Sequence, residues 1–420
     1  MRVALVAQPY DSVLPPRQNS IGLVLYHTAI ELSRQADVTL YAKHGPGPDG
    51  RNDLPFLPVF VPGRGDDILQ RLATRYARWT GGSRVSALAN AHTIYARSVA
   101  KEIDRAEPDV VHVMNYWPWC RKFVGRGHRR RPVVLEMHCE WLSQMDKNQV
   151  QNQLAAVDAV VGVSDHIARL FRASFPAYSG QVVTAHDGVD PDVFRPGAGR
   201  LVHRGGDLTI LFVGRVSPEK GIHTLIEAFG RIASRCPQAR LVIAGGRGTL
   251  REDFIVDISS DPLVRALSRF YNGSLCSNYQ LYLDELVMRF GLDGKVQFLG
   301  SIPHKALVDW YQAATVVVNP SLSESFGLSV VEGMACGVPV VGTKVGGMLE
   351  TVLHGETGLL VDAERSDLLA EALLWVLHDP DAAAKMGATG RVRALEHFSW
   401  RARAERLLST YRTIVNHNRP

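Results

Sequence analysis

The sequence predicts two doubly wound α/β domains in tandem. Short, almost wholly apolar strands alternate with amphipathic segments, and the alternation runs twice along the chain. A Gly- and Arg-rich stretch, RPGAGRLVHRGGD at 195–207, separates the two series and reads as a linker. The length of 420 residues accommodates two domains that each bury a full core. With 46% hydrophobic and 21% charged residues, the composition is globular and excludes disordered and fibrous classes.

The first series opens with VALVA (3–7) and a helix from Gly22 to Gln35. DVTLYA (37–42), PDVVHVM (108–114), PVVLEMH (132–138) and AVVGVS (159–164) follow as strands. Strands this apolar belong in parallel βαβ units with both sheet faces covered. Segment 66–79 predicts a basic amphipathic helix with Ile68, Leu69, Leu72, Tyr76 and Trp79 on one face. That face suits core packing, with docking on a membrane surface as the alternative. The second series comprises LTILFVG (208–214), RLVIAGG (240–246), KVQFLG (295–300), TVVVNP (315–320) and VPVVGT (338–343). Leu281 to Phe290 reads as a helix, and the preceding 251–278 stretch is extra: a lid, an interface or a decoration. An amphipathic helix over 398–415 closes the chain. The expected organisation is therefore a first domain at 1–197, a second at 198–397 and a terminal helical segment at 398–420. Such sheets bind ligands at the C-terminal ends of their strands, so two facing domains would place the site in the cleft between them.

Charge and cysteine content narrow the setting. The net charge of +5 lies in residues 1–200, which hold 24 Lys and Arg against 19 Asp and Glu; the remainder is balanced. Arg121, Lys122, Arg126, His128, Arg129, Arg130 and Arg131 cluster without an acid among them. A solvated loop accounts for the cluster, while an anionic membrane or anionic acceptor is the functional alternative. No nucleic-acid-binding motif accompanies it, and nucleic acid is not expected as a partner. The five cysteines are scattered and include no Cys-x-x-Cys pair, which fits a reducing, cytoplasmic setting. MRVALVAQPY reads as a first strand, not as a signal peptide, and no run approaches about 18 apolar residues. A soluble or peripheral protein is expected, and a homodimer is open to it.

Two motifs carry chemistry. In ESFGLSVVEGMACGVPVV (324–341), Glu324 and Glu332 flank a Ser325–Phe326–Gly327–Leu328 loop that opens a helix. The free N–H groups of a helix start attract phosphate, and carboxylates accept hydrogen bonds from hydroxyls. A nucleotide sugar offers both groups. In GRVSPEKG (214–221), Gly214 turns the chain after a strand and leaves Arg215 and Lys220 at the ligand-binding edge, suited to a diphosphate. On the acceptor side, NYWPWC (115–120) follows the strand VVHVM, where Tyr116, Trp117 and Trp119 either stack on an acceptor ring or pack under the loop. Gly245–Gly246–Arg247–Gly248 lacks the dinucleotide fingerprint, so NAD is excluded.

Together with DGVDPDVFRP (187–196), VQFLG, GGMLE and GETGLLV, these motifs resemble the retaining glycosyltransferases of family 4, which have the GT-B fold of two facing Rossmann-like domains. The resemblance runs over essentially the whole chain. It implies that Arg215 and Lys220 hold a donor diphosphate and that Glu332 binds the ribose hydroxyls. Glu324 would bind the donor sugar beside the Phe326, Gly327 and Leu328 amides, with Gly214, Ser325 and Ile302 in the donor-binding set. His138, in EMHCEW, resembles a family histidine near the donor sugar. The family's glycine-rich first loop is here LPPRQNSIG (14–22), with Gly22 in place on the donor side and the polar Asn19 and Ser20 assigned to the acceptor. Asp187 stands where the family usually has Asn. FSWRARAERLL resembles the family's helix that crosses back to the first domain.

The implied activity is transfer of a sugar from a UDP- or GDP-linked donor to a small metabolite, such as a natural-product intermediate, by front-face substitution without cofactor or metal. A lipid or polysaccharide acceptor at a membrane surface is the alternative. An epimerase or phosphorylase, or a non-catalytic nucleotide-sugar-binding protein, is more remote.

Overall fold

A computed structural model describes residues 1–15, 18–45, 54–63, 65, 66, 68, 71, 72, 75, 92–125, 130–197, 208–249, 251–271 and 279–417. The chain forms two compact units, Met1–Asp187 with Trp400–Pro420, and Gly188–Ser399.

The first unit is built on a seven-stranded sheet: β1 (Arg2–Val6), β2 (Asp37–Ala42), β3 (Leu57–Phe60), β4 (Val110–Met114), β5 (Val133–Met137), β6 (Ala159–Gly162) and β7 (Gln181–Thr184). Every pairing is parallel, in the order β3-β2-β1-β4-β5-β6-β7. The order reverses between β1 and β4, which creates a switch point where loops diverge and leave a crevice. Helix α1 (Ser20–Leu32) starts where Asn19 accepts a hydrogen bond from the Gly22 N–H at 2.8 Å. Helix α2 (Asp165–Ser174) is capped in the same way by Ser164.

The second unit carries a six-stranded parallel sheet: β8 (Leu208–Val213), β9 (Ala239–Ala244), β10 (Val296–Gly300), β11 (Val316–Asn319), β12 (Val340–Thr343) and β13 (Leu359–Val361). Its order, β10-β9-β8-β11-β12-β13, reverses between β8 and β11. Helix α3 (Ile222–Ile232) follows β8 and α4 (Leu328–Ala335) follows β11, so both begin at the strand ends that flank the switch point.

Helix α5 (Trp400–His417) belongs to the first unit, where it packs on α1. Trp400, Ala404, Leu407, Leu408, Tyr411 and Ile414 join that unit's core at helical spacing, and Trp400 stacks on His27 with ring centroids 4.9 Å apart.

Three strands were not anticipated: β3, β7 and β13. All lie at sheet edges and are only partly buried. An edge strand has one neighbour and solvent on the other side, so it does not need the continuous apolar run that marks a central strand. Of the segment 66–79, Leu69, Tyr76 and Trp79 lie outside the described residues, while Ile68 and Leu72 are exposed. Of the linker at 195–207, residues 198–207 also lie outside them. The extra stretch is packed: Val256, Val264, Leu267 and Phe270 enter the second unit's core, and 272–278 fall outside the described residues.

Of the basic cluster, Arg126, His128 and Arg129 lie outside the described residues. Arg130 pairs with Asp158, and Arg131 with Asp104 at 3.1 Å. The acids missing from the local sequence are supplied from elsewhere in the fold. Among the described residues, no helix is long and apolar enough to cross a membrane.

Candidate active site

In the second unit, the loops after β8 and β11 bring the predicted donor residues together. Lys220 Nζ donates to Glu324 Oε2 at 2.8 Å, and Asn319 Nδ2 donates to the same oxygen at 3.1 Å. Burial pushes the Glu324 carboxyl up, but Lys220, the Asn319 amide and the Phe326 N–H outweigh it and hold the group below its ordinary value. Glu324 is therefore a carboxylate at neutral pH. Arg215 is exposed, with Nη2 at 2.9 Å from Glu219 Oε1 and Nε at 3.3 Å from Ser217 Oγ. Gly214 leads into this turn as predicted.

Gly327 is the N-cap of α4 with φ +93°, a left-handed conformation that an L side chain adopts only with strain. A Cβ there would also meet Met348 Sδ at 2.6 Å. The turn leads into α4 directly after Phe326, whose N–H bonds Glu324. Ser325 and Leu328 are half-buried and Phe326 is buried against Phe398, with ring centroids 5.5 Å apart.

Glu332 lies one turn into α4 and is only 4% exposed. Its two oxygens already accept hydrogen bonds: Oε1 lies 2.6 Å from His304 Nε2, and Oε2 receives the Tyr311 hydroxyl at 2.7 Å. Burial opposes the charge of His304, and Glu332 overrides it and raises the imidazole. Phe194, from the DGVDPDVFRP segment, packs on both His304 and Tyr311. Ile302 is half-buried in the same loop as His304.

In the first unit, the loop between β1 and α1 is tied by a buried carboxyl. Asp11 accepts from the Gln8 N–H at 3.1 Å, the Gln8 side chain at 3.1 Å and Asn19 Nδ2 at 2.9 Å. Burial pushes Asp11 up to about 6, against these hydrogen bonds. Asn19 and Ser20 are exposed at the start of α1. Gly22 sits behind them, where a Cβ would lie 2.1 Å from the Ser12 carbonyl oxygen, so only glycine permits this approach. After β4, Tyr116, Trp117 and Trp119 are all buried, with Tyr116 and Trp119 centroids 4.1 Å apart.

His138 follows β5 and is held on every side. Its N–H donates to Asn115 Oδ1 at 2.7 Å, Nε2 bonds Glu136 Oε1, and Nδ1 lies 3.6 Å from Asp187 Oδ2. Glu136 and Asp187 also meet Arg403 of α5, whose Nη2 bonds Glu136 and whose Nη1 lies 3.3 Å from Asp187 Oδ1. Glu136, His138 and Asp187 bring ligand atoms within 4.8 Å of one another, as metal ligands do, but the cation among them is the Arg403 guanidinium.

Sequence reasoning missed Asp11, Glu136, Arg403, His304 and Tyr311. Signals for two of them were present. Glu136 interrupts the apolar run of a central strand, and Arg403 sits in the apolar stripe of Trp400, Ala404 and Leu407. A charge in either position must find a partner, because burying it alone is very costly.

Comparisons with known proteins give the family. Residues 21–193 match the model described as Glycosyltransferase Family 4, and residues 198–393 match that of Glycosyl transferases group 1. The D-inositol 3-phosphate glycosyltransferase of Kribbella flavida is 32% identical over 76% of this chain and 76% of its own. The protein of the same name from Rhodococcus jostii is 31% identical over 77% and 71%. Among solved structures, sucrose-phosphate synthase from Thermosynechococcus elongatus superposes with a TM-score of 0.72 at 22% identity, covering 99% of both chains. Anabaena HepE, solved with UDP and glucose, gives 0.67 at 18% identity over 97% and 98%. Both carry the same fold of two Rossmann-like domains. The chain belongs to the family 4 glycosyltransferases.

Proposed function

We propose that this glycosyltransferase moves a hexose from a UDP- or GDP-linked donor to a small, hydroxyl-bearing metabolite, with retention of anomeric configuration and without a metal ion. The observation that carries the reading is the Lys220–Glu324 pair beside the Gly327 turn and the N-terminus of α4. It sets a cation, a carboxylate and a helix N-terminus at one sheet switch point. Arg215 and Lys220 meet the diphosphate, and their charge stabilises the negative charge that grows as the sugar–phosphate bond breaks. Glu324 accepts hydrogen bonds from sugar hydroxyls, and Glu332 from the ribose. The acceptor hydroxyl attacks on the face the diphosphate leaves, and the departing phosphate oxygen takes its proton. His138 keeps the donor-sugar role that the family resemblance gives it.

Support for a small acceptor comes from the relatives, which are named for inositol 3-phosphate, and from structural neighbours named as sucrose-phosphate and trehalose 6-phosphate synthases. Arg130 and Arg131 are engaged with Asp158 and Asp104, which favours this reading over a membrane-bound acceptor. Four cysteines among the described residues are in no disulfide, which fits a cytoplasmic location.

The test is a panel of UDP- and GDP-hexoses offered with pooled sugars, inositols and their phosphates, with EDTA present, and products resolved by NMR. A new glycoside with the donor's anomeric configuration is expected. An inverted glycoside, an isomerised nucleotide sugar, a sugar phosphate or a strict metal requirement would each overturn the corresponding part.

A further inference from the structure

We propose that Asp187 is a positioning residue that, with Glu136, clamps His138 as an imidazolium, so that His138 brings a fixed positive charge to its site and no proton to transfer. Its bearing on catalysis rests on the donor-side reading of His138 given above.

A carboxylate only accepts, while a neutral imidazole has one N–H and one lone pair. Both ring nitrogens of His138 face carboxylate oxygens: Nε2 bonds Glu136 Oε1, and Nδ1 lies 3.6 Å from Asp187 Oδ2. Either neutral tautomer would set a lone pair against a negative oxygen. Protonation of both nitrogens removes that repulsion. Flipping the ring would set Cε1 and Cδ2 against the two carboxylates and lose both contacts.

Charge balance points the same way. Glu136 is 0% exposed and Asp187 5%, so two negative charges are held away from water. Arg403, 2% exposed, contacts both and neutralises one charge. The second requires another cation, and besides Arg403 it is His138 that contacts both acids. Other titratable groups also face this cluster. Asp11, in the loop after β1, adds negative potential. His112 on β4 has Nε2 2.9 Å from Glu136 Oε2, and its Nδ1 bonds the buried Tyr411 hydroxyl of α5. Consistent with the geometry, burial opposes the His138 charge but Asp187 and Glu136 override it and raise the group to about 9. Glu136 is held well below the usual carboxylate range, where burial is outweighed by Arg403 and His138.

The backbone completes the clamp. The His138 N–H is anchored on Asn115, itself in a left-handed conformation with φ +51°. Ring and main chain are both fixed, so the residue cannot swing to shuttle a proton between bulk water and substrate. His138 then acts through its position and charge alone.

The experiment is an NMR pH titration of the full chain labelled with 15N-histidine, from pH 5.5 to 9.5, with no ligand added. Of the 15 histidines, His138 is assigned by its disappearance in His138→Gln. The clamp predicts two protonated ring nitrogens through pH 8. In Asp187→Asn, of nearly the same shape, the midpoint should fall by more than about one unit, a tenfold loss of proton affinity. Neutral-tautomer signals in the native protein at pH 7.5 would overturn the proposal, whether or not the variant folds. So would an unchanged midpoint in folded Asp187→Asn. Turnover of UDP-glucose and GDP-mannose separates the two readings. With the clamp, the native rate shows no histidine-like step between pH 6.5 and 8.5, and Asp187→Asn acquires one. If the NMR signature holds while His138→Gln turns over donor normally, the clamp stands and the donor-side role falls.

Discussion

Lys220 and Glu324 form an ion pair at 2.8 Å although 104 residues separate them in the chain. They follow the adjacent strands β8 and β11 on either side of the switch point.

Lys220→Met should lower stability at pH 7 by about 2–3 kcal/mol, because it leaves a largely buried carboxylate without its cation. The sign with pH follows from the lowered Glu324 value. In the native protein the pair contributes stability above pH 4.5, and this is lost as the pH falls through the lower folded value. The variant should lose that acid-side decline. Melting temperatures from pH 3 to 8 check this, and parallel curves would refute the coupling.

Glu332→Gln should retain most of the fold yet weaken binding of UDP or GDP by about 1.5–3 kcal/mol, roughly 10- to 150-fold, if the ribose hydroxyls bond the carboxylate. Tyr311→Phe should instead cost stability first, since it removes one of the two bonds that hold Glu332 in place. Calorimetry with each nucleotide and thermal unfolding distinguish the two effects. Unchanged nucleotide affinity in Glu332→Gln would remove Glu332 from the ribose.

Gly327→Ala should destabilise the second unit by about 1–2 kcal/mol from the left-handed backbone alone, with more from the approach to Met348. Donor binding should fall as well, because the turn sets the first amides of α4. A variant with native melting temperature and affinity would show that the loop does not need this conformation.

Stability on the alkaline side should report His138. Its value rises to about 9 in the folded protein, so its contribution is complete below about pH 6.5, the ordinary histidine value, and is lost as the pH climbs through 9. The melting temperature should decline across that window, and less steeply in Asp187→Asn. Equal slopes in both proteins would contradict the assignment.

Arg131→Ala should lower thermal stability by about 1–2 kcal/mol, since it breaks a mostly buried ion pair with Asp104 and a bond to the Phe123 carbonyl at 3.2 Å. Co-sedimentation with anionic liposomes should be absent in the native protein and unaffected by the change. Salt-sensitive binding that the substitution abolishes would restore the membrane-surface reading.

The local sequence by itself determined the strand–helix rhythm of both units, because central strands of a parallel sheet must be apolar on both faces. The glycine turns before Arg215 and Leu328 were legible for a related reason: backbone geometry restricts the residue that can stand there. Edge strands β3, β7 and β13 were not legible, since exposure on one side relaxes that demand. Tertiary structure alone decided the partners. Asp104 and Asp158 answer a basic run that contains no acid, and His304 and Tyr311 take both oxygens of Glu332. Arg403 reaches Glu136 across 267 residues of chain. A buried charge announces in sequence that it needs a counter-charge, but which residue supplies it depends on where the fold brings distant strands and helices together.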